Sequence, residues 1–230
     1  MKKILFCMVT VFSIFIIYLA TMDRKVYYLA LGNSSKRYNN NYGYSYFVSQ
    51  YINKKDVLED YVYDYSDFDK KIPDLIKDIQ NNAKSRKYTL KNCLVKADLV
   101  TLRISHDDVL ERIMFESSED VYDYIDGLCK DFEKLIKLIR EYCKEDVLFL
   151  GYLISDDYTS EGKDIIEYLN KRYKSICDDY NVTFVDIRSS DEKDIFKQVI
   201  KIVDKKMFEG WFLFWSLLQY IRLINFYGFF

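Results

Sequence analysis

Lys25-Val26-Tyr27-Tyr28-Leu29-Ala30-Leu31-Gly32-Asn33-Ser34-Ser35 is the stretch that decides the fold. Val26 to Leu31 are apolar at every position rather than at alternate ones, which marks a strand of the kind a parallel sheet buries on both faces. The polar residues Gly32 to Ser35 read as a turn at its end. Outward from there the spacing predicts a helix over Gly43 to Ile52, a short strand at Tyr61-Val62-Tyr63 and a helix over Pro73 to Asn81, with Pro73 tolerated in the first turn. Ala97 to Ile104 is the next strand, ending in the polar loop Ser105-His106-Asp107-Asp108. Leu128, Phe132, Leu135, Ile136 and Ile139 then form the apolar stripe of a long helix from about Val121 to Lys144. Asp146 to Leu153 is a fourth strand, Gly162 to Tyr180 a helix, Val182 to Ile187 a fifth strand and Glu192 to Lys205 a last helix. Alternation of this kind predicts an α/β class protein: a three-layer α/β/α sandwich around a central parallel sheet of about five strands.

A chain of 230 residues with half its residues apolar can bury one substantial core. Its formal net charge of -2 gives no general attraction to nucleic acid or anionic lipid. Seven Gly and one Pro against 22 Tyr leave the turns to Asn, Asp and Ser. Cys7, Cys93, Cys129, Cys143 and Cys177 form no CxxC pair, and His106 is the single His, so the composition argues against a zinc site and implies no cofactor.

Met1-Lys2-Lys3 followed by the apolar run Ile4 to Ala20 has the layout of a signal anchor or signal peptide over residues 1-22. Tyr18-Leu19-Ala20-Thr21 is a poor cleavage site, so a retained anchor, with the domain on the extracytoplasmic side, is the expectation. The domain is expected over 23-205. The remainder, 206-230, is an apolar aromatic tail in which Trp211, Trp215, Tyr220 and Tyr227 suit a membrane interface and Arg222 opposes deep burial. An equally weighted alternative is an altered C-terminus standing where the domain ordinarily carries another segment.

Tyr28-Leu29-Ala30-Leu31-Gly32-Asn33-Ser34, with Tyr42-Gly43-Tyr44-Ser45 after it, resembles the first block of the SGNH (GDSL-type) hydrolases. Ala97 to Asp108 resembles that family's third block, and Val147 to Tyr152 with Asn181 to Ile187 resembles the segments before its last block. The resemblance runs from about Val26 to Ser190. It implies ester hydrolysis or acyl transfer through a Ser nucleophile, which Ser34 supplies, at the carboxyl ends of the strands.

The same resemblance exposes departures. Asn33 replaces the family's Asp, and Asp64 to Ile72 lacks the Gly whose amide serves the oxyanion. Ser105 replaces another Gly, and Asp107 replaces an Asn whose amide donates; an ionised carboxylate only accepts and repels an oxyanion. The family's DxxH base has no counterpart, since no His follows His106. His106 is the one side chain available as a substitute base, and its other reading is a solvent-exposed loop residue. The candidate site is therefore Ser34 and His106 as catalytic residues, with Gly32, Asn33, Ser105 and Asp107 around the oxyanion. The expectation is a membrane-anchored SGNH-like hydrolase, weakly active or inactive, acting on an ester of a lipid, a glycan or a small molecule. The alternative is a non-catalytic ligand-binding or scaffold module on the same fold.

Overall fold

A computed structural model describes residues 11, 12, 15, 25–33, 43–67, 69–85, 88–105, 107–115 and 118–208. The elements, in chain order, are β1 (Val26–Gly32), α1 (Tyr44–Lys54), β2 (Leu58–Val62), α2 (Ile72–Gln80), β3 (Lys84–Ser85), β4 (Tyr88–Thr89), α3 (Leu90–Lys96), β5 (Leu99–Arg103), α4 (Asp107–Phe115), α5 (Ser118–Tyr142), β6 (Asp146–Leu150), α6 (Ser160–Asp179), β7 (Thr183–Val185) and α7 (Glu192–Val203), which runs into a π turn at Asp204–Phe208. Five strands form one parallel sheet in the order β2-β1-β5-β6-β7. The short β3-β4 hairpin is antiparallel and separate. Three-layer α/β/α architecture with a five-stranded parallel sheet, as the alternation of segments predicts, is what the chain adopts.

Each strand divides its side chains between two cores because successive residues point to opposite faces. Tyr27, Leu29, Leu31, Val100, Leu102, Val147 and Phe149 face α2, α3, α5 and α6. Val26, Tyr28, Ala30, Leu99, Leu148 and Leu150 face α1 and α7. The stripe on α5 is deeply buried: Phe132 lies 4.6 Å from the Phe149 ring and 4.1 Å from the Tyr173 ring, joining sheet, α5 and α6. On the other face the Tyr28 ring stacks on Tyr61 at 5.1 Å, and its hydroxyl shares a 2.8 Å hydrogen bond with Thr101.

Cys93, Cys129, Cys143 and Cys177 are free and buried, the place of small hydrophobes. Burial pushes the Cys129 thiol up to about 11 and the Cys177 thiol up to about 12. Among the described residues no three His, Cys, Asp or Glu side chains group as a metal site. No helix among them is long and apolar enough to cross a membrane.

Three elements depart from the expectations. The segment from 84 to 96, to which the sequence pattern assigns no element, makes the hairpin and α3. The end of the loop expected at Ser105 to Asp108 is helical, because Asp107 and Asp108 stand in the first turn of α4, where acidic side chains oppose the positive helix end. β2 begins at Leu58, three residues ahead of the expected strand, its early positions only half-buried because it is the sheet's edge.

Candidate active site

The parallel register fixes the corner. Gly32, the last residue of β1, pairs with Arg103, the last residue of β5. The chain leaves β1 tightly over that neighbour: the Asn33 amide donates to the Arg103 carbonyl at 2.6 Å. Gly32 has φ +76, and a Cβ there would stand 2.0 Å from the Arg103 carbonyl oxygen. Glycine is required on both counts, the left-handed backbone and the absent side chain. On the other side, the segment after β2 closes against the same residue. Ser66 makes an isolated parallel bridge to Gly32, its hydroxyl donates to the Ala30 carbonyl at 2.8 Å, and the Asp67 amide donates to the Gly32 carbonyl at 3.1 Å. The segments following β1, β2 and β5 thus converge on one point at the carboxyl edge of the sheet, where open α/β sheets bind ligands.

The predicted site residues fall as follows. Gly32 and Asn33 form the corner, and Ser105 stands two residues beyond the Arg103 it adjoins. Asp107 is exposed, and one carboxylate oxygen accepts the Ser105 hydroxyl at 2.9 Å. Ser34 and His106, the catalytic candidates, lie outside the described residues.

Sequence reading passed over a polar cluster at this edge. Arg103 Nη1 is 2.7 Å from Glu192 Oε1, and the other Glu192 oxygen accepts the Tyr44 amide at 2.6 Å. Gly43, the N-cap of α1, has no side chain to offer that helix, so a carboxylate from α7 takes the capping role. Asp191 sets Glu192 in place by accepting from the Lys193 and Asp194 amides, at 2.8 and 3.2 Å. One side chain therefore ties the starts of α1 and α7 to the end of β5. The signal in the sequence was Arg103 itself: a lone cation closing an otherwise apolar buried strand needs an anion opposite.

Beside Asp107 the surface opens into a depression of about 480 Å³ lined by Asp108, Glu111, Arg112, Phe115 and Tyr124. Lys71 bridges Asp108 at 2.8 Å, and the Arg112 guanidinium lies 4.0 Å from the Tyr124 ring centre. Met114 and Phe115, 68% and 80% exposed, complete the outer end of α4. This depression lies between α4 and α5.

No protein-family model matches the chain, and no curated protein matches it. Solved structures do. A lipase from a goat rumen metagenome superposes with a TM-score of 0.58 at 12% identity, over 69% of this chain and 79% of that one. A catalytic mutant of an acetylxylan esterase from Geobacillus stearothermophilus gives 0.55 at 16%, over 78% and 83%. An extracellular lipase from Streptomyces rimosus gives 0.53 at 12%, over 70% and 80%. The sheet order and these superpositions together give the chain the three-layer α/β/α fold that these lipases and the esterase share.

Proposed function

We propose that the chain is a membrane-tethered, SGNH-type ester hydrolase by descent in which the geometry of the corner is kept and its chemistry reduced. Ser34 is the remnant nucleophile and the substrate class is an ester or acyl group. The observation that supports this reading is the register of Gly32 with Arg103, which sets Asn33, the residue before Ser34 in the sequence, beside the segment that leads through Ser105 to Asp107 at the start of α4. Reduced chemistry is argued from Asp107: its carboxylate accepts the Ser105 hydroxyl where the family's amide would donate to an oxyanion. Loss of a base and an oxyanion donor together lowers acyl transfer by about 10³-fold or more.

The test is the full chain, with and without Ser34→Ala, on short-chain p-nitrophenyl esters and a fluorophosphonate probe. Slow turnover and labelling that vanish in Ser34→Ala are expected. A folded chain that neither labels nor turns over sinks the hydrolase. It would favour the second reading, a binding module, whose support is the Arg103-Glu192-Tyr44 cluster: a polar clasp at the site edge that assembles with no acyl chemistry.

A further inference from the structure

Lys25 and Met207, the described residues from which the chain runs to its two apolar segments, lie at the same edge of the sheet, and it is the edge opposite the candidate site. Ile4 to Ala20 is followed by only Thr21 to Arg24 before Lys25 and β1. Every strand of the sheet is parallel, so the first residues of the strands mark the amino edge: Val26 with its partner Leu58, and Leu99, which pairs with Tyr28, with its partner Asp146. At the other end of the domain, α7 and its π turn lead to Met207, where the aromatic tail begins. Lys206 is held at that same amino edge, since its ammonium lies 2.7 Å from Asp146, the first residue of β6.

The two departure points are also joined to each other. The Lys25 ammonium donates to the Asp56 carbonyl at 2.7 Å, and the adjoining Lys55 bridges Asp204 at 3.3 Å, three residues ahead of Met207. Tyr51 donates to both oxygens of Asp204 as well, at 2.7 and 2.8 Å. Exposed Lys25, Lys54, Lys55, Lys205 and Lys206 lie in this region beside Asp56, Asp146 and Asp204, a mixed-charge surface whose long lysine side chains can reach phospholipid headgroups.

From this juxtaposition we infer that the amino edge of the sheet sits on the lipid bilayer and the candidate site opens away from it, to ligands presented from the aqueous side. The seven-residue β1 puts the two edges about 20 Å apart. Four residues from Thr21 to Arg24 reach at most about 14 Å when extended, and Lys206 adjoins its tail directly. A domain on one tether tumbles; two short tethers on one edge hold that edge down. Lipids of the tethering bilayer are therefore out of reach of the corner, and a glycan-borne or small-molecule ester is the class it meets.

The inference rests on the membrane tether of the proposed function but not on hydrolysis, and its test reads orientation alone. The full chain, with Cys7→Ser, is reconstituted in phosphatidylcholine vesicles containing a brominated lipid. An environment-sensitive thiol dye is attached at Lys54→Cys or Lys205→Cys on the amino edge, or at Asp156→Cys or Arg188→Cys beyond the carboxyl ends of β6 and β7. All four positions are exposed, and the buried native thiols stay unlabelled. Quenching about threefold or more stronger at the two Lys positions is expected, because lipid quenching reaches only the headgroup and acyl boundary. Equal quenching of all four dyes, or stronger quenching at Asp156→Cys and Arg188→Cys, overturns the orientation while leaving the tether standing. Failure of the chain to float with vesicles overturns both. Two dyes per edge guard against one misfolded variant, and circular dichroism certifies each.

Discussion

The two edges of this sheet are held by different physics. At the strand starts, Lys25, Lys55 and Lys206 meet Asp56, Asp204 and Asp146 through long side chains with a third or more of their surface in water, apart from the slightly more covered Lys206-Asp146 pair. Such contacts contribute little and tolerate replacement. At the strand ends, position is set by the backbone: Gly32 folds over the Arg103 carbonyl, Ser66 closes the other flank, and Glu192 clasps three elements. The strand-end corner is thus fixed by backbone and glycine, whereas the strand-start contacts rest on exchangeable side chains.

Gly32→Ala attacks that contrast most directly. A methyl 2.0 Å from a backbone oxygen, on a residue at φ +76, forces the β1-β5 corner apart. Destabilisation of about 3 kcal/mol or more is expected from the strained backbone and the clash combined. Lys206→Ala at the opposite edge is expected to stay within about 1 kcal/mol of the parent. Urea unfolding midpoints measure both, and a Gly32→Ala midpoint close to the parent's would mean that the corner is plastic and the contrast false.

Glu192→Gln is the milder change at the strand ends. An amide oxygen still accepts from the Tyr44 amide, while the partner charge of Arg103 is lost. With Arg103 23% and Glu192 34% exposed, solvent screens the pair, and about 1 kcal/mol is the expected loss. Glu192→Ala removes the cap as well and should lower the thermal midpoint further. If the two variants melt alike, the cap of α1 contributes nothing and Glu192 serves Arg103 alone.

Much of this was legible in advance, for reasons that particular residues show. Val26 to Leu31 announced a doubly buried strand because every position is apolar, and the stripe from Leu128 to Ile139 announced α5 because its period matches a helix facing one core. Gly32 was legible as a turn, but its role as the only residue that fits over Arg103 depends on a neighbour 71 positions away. The α3 segment was missed because Leu90 to Lys96 spans seven residues, too few for a periodic signal, and is buried through Leu90, Cys93 and Leu94 by tertiary packing. Glu192 was read only as the start of a helix. Its partners lie 89 and 148 residues away, a separation no local pattern reports.

The smallest effect distinguishes the interior from both edges, and it appears only in alkali. Burial holds the Cys177 thiol well above its ordinary value, up to about 12, with Asp178 adding to the rise and Lys174 opposing it. Burial raises Tyr28, Tyr152 and Tyr173 in the same direction. A group whose pKa is higher folded than unfolded holds its proton in the native state after the unfolded chain has released it. Its contribution is complete below the unfolded value near 9.0 and is lost as pH rises through about 12. Urea midpoints should therefore be flat near neutrality and fall from about pH 9 upward, with a shallower fall in Cys177→Ala even though that variant starts lower for its cavity. The edge variants Lys206→Ala and Glu192→Gln should keep the parent's alkaline slope, because neither changes a buried acid. A slope that Cys177→Ala leaves untouched would place the alkaline sensitivity in the other buried acids, the remaining thiols or the core tyrosines, and tyrosinate absorbance appearing only with unfolding would point to the tyrosines.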